Sequence, residues 1–172
     1  MENILSLNSK NTVLNFAEKK AVLFQTLLLA SALVLPSVCH YLGLPTNKFL
    51  PMHWPVLLAG LVYGWRSGLL LGLAAPLISS LISGMPAGYL LPTMAAEIAM
   101  YGFVGGLLKE KFNLNAFVSI IGALIVGKAA HALFLLGFAK FSTTFLTAGL
   151  AATAGQIAFL PLIANLWTKN SK

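Results

Sequence analysis

Residues 51–86 read PMHWPVLLAGLVYGWRSGLLLGLAAPLISSLISGMP. Between the flanking prolines the run is largely apolar, and its one charged residue is Arg66, within Trp65-Arg66-Ser67. A helix crosses the hydrocarbon core of a bilayer with about 20 apolar residues, so the stretch is too long for one span. It divides at Trp65-Arg66-Ser67 into helices expected at 50–64 and 67–84, joined as a tight hairpin. Pro55 falls in the first turn of its helix, where the missing N–H is one that has no helical partner anyway. His53 and Trp54, at the head of the hairpin, read by themselves as a capping or interfacial histidine and an interfacial anchor.

The rest of the chain has the same character. Of 172 residues 58% are hydrophobic and 9% charged, and mean hydropathy is +0.86; soluble domains carry roughly 25% charged residues. The expected fold is an all-α integral membrane protein, a six-transmembrane-helix bundle with spans near 21–43, 50–64, 67–84, 89–108, 116–138 and 144–167. Residues 1–20 read as a cytoplasmic tail, 21–168 as the membrane domain and 169–172 as a second tail. Lys19-Lys20 before AVLFQTLLLASALVL has the outline of a secretory leader, but PSVC lacks the small residues of a cleavage site, and a first transmembrane helix is expected.

Eleven basic residues stand against four acidic ones. They lie on short loops and tails, not on an aromatic-studded face, so nucleic acid is not an expected partner. With the N-terminus inside, Lys10, Lys19, Lys20, Arg66, Lys109, Lys111, Lys169 and Lys172 are cytoplasmic, Lys48 and Lys140 are outside, and Lys128 lies within the membrane. By the positive-inside rule both termini are cytoplasmic. Tyr41, Tyr89 and Trp167 fall near the interfaces, as an aromatic belt does. Cys39 stands alone, and no spacing of Cys and His indicates a metal; no metal or cofactor is expected.

GLVYG (60–64), GLLLG (68–72) and GFVGG (102–106) place small residues four apart on one helix face. Such faces admit a neighbouring backbone, either within the bundle or from a partner protein. Pro36, Pro76 and Pro161 lie inside spans and free the carbonyls of Ala32, Gly72 and Ile157, which neighbours or a cavity must satisfy.

Ionisable groups at membrane depth carry a penalty of about 2.5–3.5 kcal/mol on insertion scales, so those retained have a partner or a task. Glu97 lies ~12 Å in from the outer end of its helix, Lys128 ~15 Å and His131 ~10 Å, at 1.5 Å per residue. Lys128 and His131 share a face, as do Glu97 and Tyr101, and Gln156 on the last helix reaches a similar level. Three readings stay open: a structural Glu97–Lys128 ion pair, a solute site in the outer half with Lys128 and His131 facing an acid or hydrogen-bonding group, and a proton relay.

The run 51–86 followed by EIAMYGFVGGLL (97–108) resembles the substrate-binding S components of energy-coupling factor (ECF) transporters, through the P-M-H-x-P-V-L-L-A-G segment and the G-M-P turn. The resemblance covers roughly 21–167. It implies a six-helix subunit of the cell membrane that captures a vitamin or related micronutrient from outside, then joins a membrane T component and two ATPase subunits. The chain has no phosphate-binding G-x-x-x-x-G-K-[ST] of its own. The resemblance further implies a substrate site under the outer loops, which points to His53 and to Met85 in the turn Gly84-Met85-Pro86, and a T-component surface on the first helix. There TLLLASALVLP offers Thr26 and Ala30 where the family commonly has two alanines.

Lys128 and His131 make pantothenate the first substrate to consider, with cobalamin, folate and a queuosine precursor open. A membrane scaffold and a self-sufficient secondary transporter are the alternative functions. An intramembrane enzyme using Glu97, His131 or His53 lacks a nucleophile–base pair or a motif such as HExxH, and no catalytic residue is expected.

Overall fold

The structure, a computed structural model, describes residues 13–15, 19–137 and 149–170. Lys10, Lys140, Lys172, most of the N-terminal tail and the expected start of the last span at 144–148 lie outside the described residues. The chain forms α1 (Lys19–Tyr41), a short α2 (Thr46–Phe49), α3 (His53–Tyr63), α4 (Trp65–Ser83), α5 (Leu91–Glu110), α6 (Ala116–Gly137) and α7 (Leu150–Asn170). Among the described residues four helices, α1, α4, α5 and α6, are long and apolar enough to cross a membrane.

The exterior is apolar and the interior holds the polar groups. Leu23, Leu27, Leu81, Ile125, Leu133 and Leu162 are exposed, whereas His53, Ser67, Glu97, His131 and Gln156 are buried. This inverts the pattern of a soluble domain and fits a body solvated by lipid. Pro36, Pro76 and Pro161 do lie inside helices.

The hairpin of the opening stretch turns at Gly64, a residue earlier than the sequence indicates. Gly64 has φ +88°, a conformation that disfavours any side chain, and it ends α3 and begins α4 at once. A β-carbon there would run into the Glu110 carboxylate. That carboxylate instead accepts the backbone N–H of Trp65 at 3.2 Å, satisfying one of the donors left open at a helix start. α3 is only eleven residues long, roughly 16 Å at 1.5 Å per residue. Every residue in it except Trp54 is buried, so it is the inner post of the bundle.

The glycines set the register. A β-carbon on Gly60 or on Gly68 would strike the Gly102 backbone, one on Gly72 would come within 2.6 Å of the Ala99 Cα, and one on Gly106 would meet Gly64 and Trp65. α4 therefore runs antiparallel to α5 and α3 parallel to it, with three backbones converging at Gly102. Internal packing is thus where the small-residue faces are used, as lipid supplies no hydrophobic drive between helices and close backbone contact has to serve. Gly105 lies against Ser119 and Ala123, and Gly127 against Tyr101, which makes α6 antiparallel to α5. Gly155 packs on the Trp54 ring and Gly149 on Leu50, setting α7 alongside α3. Phe24 of α1 meets Trp167 of α7 edge to face, with ring centroids 5.1 Å apart.

At the Gly64 end the Leu14 N–H donates to the Val62 carbonyl at 2.7 Å, and the Leu14 side chain packs on the core. This part of the tail is an ordered strap over the end of α3, which polarity alone does not indicate. At the opposite end Ser79 Oγ donates to the Met85 carbonyl at 2.7 Å and Ser80 Oγ to the Pro86 carbonyl at 3.1 Å, so α4 itself fastens the G-M-P turn.

Candidate functional site

The Gly127–Tyr101 contact brings the middle of α6 against the middle of α5, and four of the singled-out side chains meet there. Glu97, 4% exposed, is the hub. Its Oε1 accepts the Tyr101 hydroxyl at 2.6 Å and lies 2.9 Å from Lys128 Nζ. Its Oε2 is bonded to His131 Nδ1. An ionised carboxylate only accepts, so Nδ1 carries the proton in this contact. Tyr101 lies one turn along α5 from Glu97, and Lys128 and His131 share a face of α6, so two helical repeats in register assemble the cluster. The ion pair among the open readings is therefore made. It is sheltered but not sealed, since the Lys128 side chain keeps 25% of its surface exposed.

α3 adds His53, 2% exposed. Its ring lies tilted against that of Tyr101 with centroids 5.3 Å apart. The nearby Leu50 carbonyl takes the His53 backbone N–H at 3.0 Å. Among the described residues neither ring nitrogen of His53 has a hydrogen-bond partner, and neither do the oxygen and nitrogen of the Gln156 amide, which is 0% exposed. Trp54 and Gly155 touch, which puts His53 and Gln156 at one level on neighbouring helices. Buried polar atoms are nearly always paired, so each of these two side chains calls for a partner.

Met85 is not drawn into this group: its side chain is 53% exposed, and its carbonyl turns back to Ser79. Thr26 and Ala30 sit on the outward face of α1, opposite the buried Ala21, Leu28 and Ala32. Ser67 is a further buried hydroxyl without a partner among the described residues; a serine beside a glycine in an apolar helix gives no signal that would have singled it out. Ser79 and Ser80, which hold the G-M-P turn, were not singled out from the sequence either. Among the described residues no group of three His, Cys, Asp or Glu side chains is placed to hold a metal ion.

Helices apolar outside and polar at their centre define a polytopic membrane protein. The family model of the substrate-specific component of ECF transporters matches residues 20–169, nearly the whole chain, and the protein belongs to that family. Membership makes it a membrane transport subunit, with a small-molecule substrate and with T and ATPase components as partners. Neither curated proteins nor solved structures give a match.

Proposed function

We propose that this chain captures a vitamin or related micronutrient in the outer half of a six-span bundle and passes it inward with a T component and two ATPase subunits, in the cell membrane with both termini cytoplasmic. The observation that carries the reading is the pair His53 and Gln156, buried and without hydrogen-bond partners among the described residues, with His53 against Tyr101 of the Glu97–Tyr101–Lys128–His131 cluster. A scaffold has no use for two unmet polar side chains in its centre, since each carries a desolvation penalty of about 1–3 kcal/mol. A ligand that supplies the missing bonds recovers that penalty on binding.

The alternating helix directions support six crossings, with α3 the short second span inside the bundle. The exposed Thr26–Ala30 face of α1 is the T-component surface. Pantothenate, which carries both an amide and an acid, is the first vitamin to assay. The test is the thermal stability of the purified, ligand-free chain in detergent against a vitamin panel. A compound at a hundred times its Kd stabilises the folded state by about 2.7 kcal/mol. One vitamin shifting the transition by that amount is expected; no shift with any member, in folded protein shown to be empty by mass spectrometry, overturns capture.

A further inference from the structure

The charged cluster and the unmet polar pair make different demands on a ligand. Both oxygens of Glu97 are engaged, Oε1 by Tyr101 and Lys128 and Oε2 by His131. The Lys128 charge is thus answered from within the protein. An acid group arriving there has to displace Glu97 or sit beside it, and like charges at such a distance disfavour each other. The sides that remain unmet are neutral. The His53 imidazole offers one donor and one acceptor, and the Gln156 amide offers two N–H donors and a carbonyl. A primary amide pairs two-pronged with an edge that carries a donor next to an acceptor, as Gln does with adenine.

Building on the capture reading above, we infer that the chemical group this protein recognises is an uncharged donor–acceptor edge, a lactam, urea or amide read by Gln156 with His53 beside it, and not a carboxylate. Any acid on the substrate then lies away from this edge, and replacing it with a neutral group leaves affinity intact. The Glu97 cluster keeps a supporting role: Tyr101, held by Glu97, backs the His53 ring.

The experiment uses the full chain in detergent and matched probes: pantothenate against panthenol, nicotinate against nicotinamide, and two lactam heterocycles, riboflavin and 6-hydroxymethylpterin. Affinities come from calorimetry or thermal shift. The expected result is that the binding compounds carry an uncharged amide or lactam edge and that the neutral member of a binding pair matches or exceeds the acid. Gln156→Leu is expected to weaken that binding by about 10²-fold or more, as sites built around hydrogen bonds reject partners that lack them. It is expected to leave the ligand-free melting temperature at or above that of the unaltered chain, because no partner in the protein is lost. An acid that binds tenfold or more tighter than its neutral twin overturns the inference and leaves capture standing, and so does a Gln156→Leu chain that binds as before. If that variant does not fold, the paired compounds on the unaltered chain decide the matter alone. Absence of binding by every probe, in protein shown to be folded and empty, overturns the inference; extension of that absence to the wider vitamin panel overturns capture as well.

Discussion

Removing one member of the Glu97–Lys128 pair tests whether the hub holds the bundle together. At 2.9 Å and an effective dielectric of about 20 the gross attraction is roughly 6 kcal/mol. Desolvation offsets much of this, but a variant that deletes one partner has already brought the other charge inside. With the Lys128 side chain a quarter exposed, some water stays on the ammonium, so the effect belongs at the low end of the range for buried pairs. Lys128→Met and Glu97→Gln are each expected to lower stability by about 3 kcal/mol. The double variant, which strands neither charge, is expected to lose less than either single variant and far less than their sum. Reversible unfolding in mixed detergent–SDS micelles gives all four corners of the cycle. Additive losses, or single losses under about 0.5 kcal/mol, would mean that the pair is incidental to folding and that the hub has been misread.

Gly68→Ala sets a β-carbon against the Gly102 backbone, which has no rotamer with which to move aside; a loss of about 1–3 kcal/mol or more is expected in the same unfolding assay, and an unchanged midpoint would refute the three-backbone crossing. Gly64→Ala combines a strained φ of +88° with a collision at Glu110 and is expected to lose at least about 1–3 kcal/mol, whereas an alanine tolerated there would rule out the turn as drawn. Glu110→Ala removes the acceptor for the Trp65 N–H and should lower stability by about 1 kcal/mol, a capping-sized effect read as a shift in thermal midpoint. Thr26→Trp, on the exposed face of α1, should leave stability within about 0.5 kcal/mol while the T component no longer copurifies on coexpression; retained copurification would move the docking surface elsewhere.

Much of the architecture is legible in the sequence because lipid imposes severe rules. A bilayer of fixed thickness demands long apolar segments, and this chain shows them between its charges. Glycines four apart announce close helix contacts, and rare ionisable residues at membrane depth drew attention to Glu97, Lys128 and His131, with Tyr101 and Gln156 added by shared face and level, whereas His53 was pointed to by the family resemblance. The helix-breaking role of Gly64, the strap formed by Leu14 and the serine fastening of the G-M-P turn needed coordinates, because each depends on a segment meeting another far along the chain or on a single dihedral angle.

Hydropathy alone determined that the chain belongs in a membrane, and spacing alone determined which residues share a helix face. Only the tertiary structure decided which face meets which. Apart from a few polar positions, helices such as α5 and α6 carry apolar residues on every side, because lipid outside and most of the protein inside are apolar, and so the usual periodic signal that turns a helix toward a core is weak. Rotation and register are set instead where backbones touch, at Gly102 against Gly60 and Gly68, and where the Tyr101 ring lies on Gly127. Those contacts give Glu97 to Lys128, His131 and Tyr101, and leave His53 and Gln156 unanswered among the described residues.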